Sequence, residues 1–220
     1  MLFSIILVSL VPFLTYASEE KEYFEAIQNA VDSVKSGDRL YLADKACYPD
    51  IGCFTTSGLM KHIGILPSSP TKINTKFFAY THDSPKTPKE VNPHDPKTYG
   101  MIAADKPLAI IAHGFNNNGQ TPQLLQIKDS LIAFASVPTV IVVDWAKGAA
   151  APWYTEAATN TEVVGRQIAF LVETLRTKQK IDPKNVHLLG FSLGAQVSGF
   201  AGKWAQSEYK WKVGRISGEF

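Results

Sequence analysis

Val186-His-Leu-Leu-Gly-Phe-Ser-Leu-Gly-Ala195 is the stretch whose reading decides the fold. It opens on a short apolar run, Val186 to Leu189, without alternation, which is the pattern of a strand buried on both faces. It then passes through Gly190-Phe191-Ser192-Leu193-Gly194, a G-x-S-x-G, into a predicted helix over 193–206. Strand, tight turn, helix is the setting in which such a motif raises a serine Oγ above a sheet. Side chains two residues before or after the serine would collide with the neighbouring strand and helix, so Gly190 and Gly194 are read as the glycines of the turn. The helix continues through Ala195, Ser198, Gly199, Ala201 and Gly202, small residues that let it lie close to the sheet. Its N-terminus favours negative charge developing beside Ser192.

Working outward, three more runs of the same kind flank this one. They are Pro107 to Ala112, ending in His113-Gly114; Thr139 to Val143, ending in Asp144-Trp145; and Val213 to Ile216. Helical spacing fills the intervals. Residues 121–135 carry Leu124, Leu125, Ile127, Leu131, Ile132 and Phe134, and residues 160–178 carry Val163, Val164, Ile168, Leu171, Val172 and Leu175. Alternating strands and helices imply right-handed crossovers and a mostly parallel sheet with helices on its faces. Ligands in such sheets bind at the carboxyl ends of the strands. The residues of interest stand there: His113-Gly114-Phe115 after one strand and Ser192 after another. The turn at Gly114 predicts an oxyanion hole made by the N–H groups of Phe115 and Leu193. His113 is read as orienting that loop. The alternative, His113 as catalytic base, is disfavoured because it precedes the serine and ends the wrong strand.

Upstream the pattern is looser. Ile73 to Tyr80 alternates and predicts a strand, residues 82–100 with four prolines predict a loop, and 44–70 are rich in turn formers. Residues 20–35 place Tyr23, Phe24, Ile27, Ala30, Val31 and Val34 at helical spacing, predicting an amphipathic helix that ends near Gly37. Leu2 to Tyr16 is almost wholly apolar, no charge precedes Glu19, and Thr15-Tyr16-Ala17 offers small residues for cleavage. Residues 1–17 are therefore expected to be a secretory signal peptide and the product to be extracellular. A membrane anchor is the alternative, and the run is short for one. In an oxidising compartment Cys47 and Cys53, the only cysteines, are expected to form one local disulfide worth about 2 kcal/mol.

Composition excludes several classes. Hydrophobic residues are 45% and charged residues 19%, which is globular rather than disordered. Lys+Arg 22 against Asp+Glu 20 leaves a net +2 with no long block of like charge, so no nucleic-acid partner is expected. No transmembrane segment is expected outside the N-terminus. The histidines at 62, 82, 94, 113 and 187 show no ligand spacing, and two cysteines do not complete a zinc site, so no metal ligands and no cofactor are expected.

Over about residues 44–218 the chain resembles the pancreatic-lipase-like family of secreted α/β-hydrolases. The resemblance rests on Cys47-Tyr-Pro-Asp-Ile-Gly-Cys53-Phe, Ile73-Asn-Thr-Lys-Phe-Phe-Ala-Tyr-Thr81 and Ile111-Ala-His-Gly-Phe115. It continues through Val143-Asp-Trp145, Tyr154, Ala157, Asn160-Thr161, Val164-Gly165 and the stretch 186–195. Gln196 and Glu162 depart from it mildly. The resemblance implies an α/β-hydrolase fold and a carboxylic ester hydrolase with Ser192 as nucleophile, acting on lipid esters at a lipid–water interface. In that family the strand Val213-Gly-Arg-Ile-Ser-Gly218 runs on into Leu-Asp-Pro, the aspartate being the triad acid, with a lid and the catalytic histidine later. Here Glu219-Phe220 follow, and no histidine comes after Ser192. Residues 18–220 are therefore expected to be a partial domain, truncated before acid and base and inactive as given. A non-catalytic lipid-binding or yolk-type protein on the same fold is the rival. Such relatives usually alter the serine or the oxyanion turn, and both are intact here.

Overall fold

The computed structural model describes residues 45–57, 64–133 and 137–219. The expected signal peptide, the 20–35 helix, His62 and the end of the 121–135 helix lie outside them. The strands are β1 (Lys45–Tyr48), β2 (Gly52–Thr55), β3 (Lys76–Thr81), β4 (Ser84–Glu90), β5 (Leu108–Ala112), β6 (Thr139–Asp144), β7 (Val186–Phe191) and β8 (Arg215–Glu219). The helices are α1 (Pro70–Ile73), α2 (Pro122–Ala133), α3 (Tyr154–Gln179) and α4 (Leu193–Trp204). None among the described residues is long and apolar enough to cross a membrane.

Six strands form one sheet in the order β4-β3-β6-β5-β7-β8, in which β6, β5, β7 and β8 run parallel and β3 runs against both β4 and β6. All five residues of β5 are buried, as its unbroken Leu-Ala-Ile-Ile-Ala requires at the centre of a covered sheet. Alternate residues feed two cores. Leu108, Ile110, Ala112, Ile141, Val143 and Leu188 face α3 and α4, where they meet Val164, Ile168, Leu171 and Val197. Ala109, Ile111, Val140 and Val142 face α2 through Leu124 and Ile132.

The parallel order has one reversal. From β5 the chain crosses by α2 to β6 on one side, and from β7 it crosses by α4 to β8 on the other. The carboxyl ends of the adjacent β5 and β7 are thus a topological switch point, where a crevice opens.

Several expected assignments and boundaries are corrected. The 82–100 segment is not all loop, because Ser84–Glu90 forms β4. Two prolines are tolerated there since β4 is an edge strand paired only with β3. Residues 45–55 hold a hairpin, with Cys47 directly opposite Cys53 in register and disulfide-bonded. The strand expected from Ile73 begins at Lys76, Ile73 closing the one-turn helix α1. Helix α3 begins six residues before the expected 160, and β8 runs to Glu219.

Candidate active site

Ser192 sits between β7 and α4 with φ 53° and ψ −121°. A serine is held in that region only when its surroundings over-determine it. Here they do. A Cβ on Gly190 would lie 2.0 Å from the Gly194 carbonyl oxygen, and one on Gly194 would lie 2.1 Å from that of Ala112. The elbow therefore packs its outgoing helix directly on β5. The Ser192 N–H donates to the Glu219 carbonyl (2.7 Å), and the Ser192 carbonyl accepts from Ala195 N–H (2.9 Å). Leu193 is buried as the first residue of α4.

The turn after β5 meets this elbow edge to edge. A Cβ on Gly114 would fall 2.9 Å from Ser192 Cβ and 3.5 Å from its Oγ. Phe115 follows, its ring packed edge-on against Tyr154 at 5.1 Å. The structure thus brings Ser192, Leu193, Gly114 and Phe115 to one place, at the switch point.

Both ends of the Gly114–Phe115 turn are tied down. Before it, His113 is buried, with Nδ1 2.9 Å from the Gly114 oxygen and Nε2 accepting from Trp145 N–H at 3.0 Å. That pattern puts the imidazole proton on Nδ1. The Trp145 indole donates to the His113 carbonyl (2.9 Å), and the two rings stack at 5.3 Å. Both nitrogens of His113 are engaged in holding the loop, a geometry that fits orientation rather than proton transfer. Asp144 Oδ1 stands 3.6 Å from Nε2, beyond hydrogen-bond range, and accepts from Ala146 N–H instead (3.0 Å). After the turn, Asn116 N–H donates to Ala149 (2.6 Å). The loop bearing Ala149 is propped in turn by buried Asn160 of α3. Its Nδ2 donates to Gly148 O (3.0 Å) and its Oδ1 accepts from Ser68 N–H (2.8 Å).

Sequence reasoning assigned no role to Trp145 or Asn160. Polar groups of a tryptophan and an asparagine placed among buried elements usually have partners, but which partners is a tertiary fact.

The disulfide hairpin stands apart from the elbow, held to α3 by Arg166. That guanidinium lies 4.0 Å from the Phe54 ring and 3.9 Å from the Trp204 ring, and it donates to Ile51 O, Cys53 O and Glu162. A cavity of 520 Å³ between the hairpin, β3 and α3 is lined by none of Ser192, Leu193 or Phe115. A smaller apolar one, 180 Å³, runs from Leu124 and Ile127 to Leu189 and Phe191, beneath the elbow on the α2 side.

The Lipase family pattern matches residues 44–219. The chain belongs to the lipase family. With the sheet order and the elbow, membership makes the fold an α/β-hydrolase fold. Among lipase-family relatives, pancreatic lipase-related protein 2 of Rattus norvegicus is 36% identical over 181 residues, covering 79% of this chain and 37% of the relative. Pancreatic triacylglycerol lipase of Homo sapiens is 34% identical over 180 residues, covering 79% and 37%. Inactive pancreatic lipase-related protein 1 of Homo sapiens is 37% identical over 165 residues, covering 72% and 35%. The chain spans little more than a third of the length of these lipase relatives.

Proposed function

We propose that this chain carries the nucleophile and oxyanion hole of a secreted carboxylic ester hydrolase that acts on lipid esters. The observation that carries the reading is the apposition of the strained Ser192 elbow to the Gly114–Phe115 turn. An ester carbonyl seated between them is attacked by Ser192 Oγ. The oxygen that gains charge is met by the Phe115 and Leu193 N–H groups, and the alcohol leaves as the acyl-serine forms. Water then releases the acid. Removing one oxyanion donor costs about 10²–10³ in turnover. Among the described residues no histidine is hydrogen-bonded to Ser192, so in this reading its proton acceptor and the acid behind it come from outside them. These steps need no cofactor. Family names that include a triacylglycerol lipase support the lipid-ester substrate, and secretion is supported by the apolar start and the Cys47–Cys53 bond.

A second reading, a non-catalytic lipid-binding protein, is favoured by one observation: a relative named as inactive is as similar as the named lipases. One experiment separates the two. The protein and its Ser192→Ala variant are assayed on triolein and phosphatidylcholine emulsions and with a fluorophosphonate that labels reactive serines. Ester turnover and labelling that both vanish in the variant support the hydrolase. Equal turnover in both would remove Ser192 as nucleophile, and lipid association without turnover or labelling in either, in a form that also carries the acid and the histidine, would favour the binding protein.

A further inference from the structure

The 520 Å³ cavity between the disulfide hairpin, β3 and α3 is built without any residue of the elbow. The hairpin tip, Tyr48 to Ile51, forms one wall. Besides the Cys47–Cys53 bond, Arg166 holds this tip through Ile51 O (2.8 Å) and Cys53 O (2.9 Å), and the Tyr209 hydroxyl donates to Asp50 O (3.2 Å). Asp50 takes φ 67°, a left-handed conformation that Asp and Asn tolerate. A second wall, Val91 to His94, is pinned by Val91 N–H to Phe77 O (2.8 Å), His94 N–H to Asn92 Oδ1 (3.0 Å) and the Tyr99 hydroxyl to Pro93 O (2.6 Å). Walls fixed in this way spare a ligand the cost of ordering them.

The lining combines apolar surface with polar groups that have bonding capacity to spare. Buried Phe77 and Val91 supply apolar surface, and Tyr48 and the His94–Phe170 pair, 5.2 Å between rings, supply aromatic surface. Gln167 Oε1 accepts from the Thr75 hydroxyl (2.7 Å), while its amide N–H groups and the Tyr48 hydroxyl make no hydrogen bond among the described residues. Asp50 Oδ2 stands 3.7 Å from His94 Nε2, beyond hydrogen-bond range. Glu90 is bonded at one oxygen, to Lys76 (2.6 Å).

These groups discriminate among ligand classes. A wholly apolar ligand would strip water from Asp50 and Gln167 and return no hydrogen bond. A cation meets Lys76 and an anion meets Asp50 and Glu90, so walls of mixed sign disfavour net charge of either kind. A neutral ligand rich in hydroxyls suits them, because one hydroxyl can donate to a carboxylate and accept from an amide or a phenol. We propose that this cavity binds a short neutral oligosaccharide, with ring C–H faces against Tyr48 and Phe170 and hydroxyls on Asp50, Glu90 and Gln167. A hexose offers both surfaces at once, C–H bonds on its faces and hydroxyls at its edge. The inference goes beyond ester hydrolysis and makes no use of it.

The test is saturation-transfer NMR of the full chain with cellotriose, maltotriose and tri-N-acetylchitotriose, and with choline and acetate as charged probes. At least one trimer should receive saturation and bind with a Kd on the order of 1 mM. Tyr48→Phe deletes one hydroxyl, and Asp50→Asn deletes one charge while keeping a residue that tolerates φ 67°. Each should weaken that trimer about fivefold or more. Both should unfold in urea where the parent does, so that weaker binding reports the cavity and not the fold. Lys178→Gln, at the exposed end of α3, should bind as the parent does. Transfer to no trimer, or transfer to choline or acetate as strong as to the best trimer, overturns the proposal. So do Tyr48→Phe and Asp50→Asn variants that bind like the parent, and so does an equal loss in Lys178→Gln. No ester is used, so failure of the hydrolase reading leaves this proposal standing.

Discussion

Trp145 and His113 grip each other through two hydrogen bonds: the Trp145 main-chain N–H donates to the His113 ring, and the Trp145 indole donates to the His113 main chain. The pairing ties the end of β6 to the start of the Gly114–Phe115 turn, and in the proposed reading of the site it makes Trp145 a positioning residue. Trp145→Phe keeps the ring stack and deletes one donor, leaving a buried carbonyl unpaired. A cost of about 1–3 kcal/mol is expected in urea unfolding. If the reading of the site holds, ester turnover should fall with KM little changed, because the loop positions charge rather than substrate. A variant as stable and as active as the parent would show that the second bond is idle.

Gly194 and Gly199 lie on the same helix and should respond in opposite ways to alanine. A methyl at Gly194 meets the Ala112 carbonyl at 2.1 Å, so backbone must shift and a loss of about 4 kcal/mol or more is expected. A methyl at Gly199 meets nothing within 4 Å. There the helix should gain up to about 1 kcal/mol. Thermal or urea unfolding of the two variants decides it.

Arg166 joins α3, the disulfide hairpin and Trp204, and it and Glu162 are both largely buried. Arg166→Ala should cost about 3–5 kcal/mol, because it strands the Glu162 charge as well as removing the clamp. Arg166→Ala combined with Glu162→Gln should recover part of the loss. Equal stability of the single and double variants would mean that packing on Phe54 and Trp204 accounts for the whole effect.

His187 gives a pH dependence of defined sign. Burial, and then the charge of Arg215, push its pKa below the ordinary 6.5. Its Nε2 lies 2.9 Å from Ser217 Oγ, which accepts from Arg215 and so offers its proton to a neutral ring. Between the depressed pKa and 6.5 the unfolded chain binds the proton more readily than the folded one, so stability rises with pH across that window. Below the folded pKa this contribution is lost. His187→Gln should flatten the slope in the window just below pH 6.5, and an unchanged slope would assign it to other groups.

Much of this architecture can be read along the chain, and the failures have physical causes. The runs at 107–112, 139–143 and 186–189 announce themselves because a strand covered on both faces has no room for polar residues. The elbow is legible because its glycines are dictated by contacts of about 2 Å. Strand β4 is illegible because Pro85 and Pro88 are penalised in a strand unless it is an edge, and edge position is a property of the sheet. The early start of α3 is hidden because residues 154–159, Tyr-Thr-Glu-Ala-Ala-Thr, hold no large aliphatic side chain to show helical spacing. Thr159 lies just before the expected start at 160 and Asn160 and Thr161 at it, and all three are buried, their side chains donating to Glu156 O, Gly148 O and Ala158 O. Of the candidate site, Ser192, Leu193, Gly114 and Phe115 are legible as a motif. The supporting Trp145 and Asn160 are not, since their partners come from other elements.

Ala112 and Gly190 are register partners in adjacent parallel strands, and the His113–Phe115 turn and the Ser192 elbow are simply the next residues of those strands. Their separation is therefore set by the interstrand ladder, about 4.8 Å wide, and not by the length of any loop. The two halves of the site belong to the same cooperative unit as the centre of the sheet. Amide hydrogen exchange at Ala112 and Gly190 would then proceed only through global opening. The site cannot loosen by degrees as a loop-built one can; it persists at full geometry until the whole sheet comes apart.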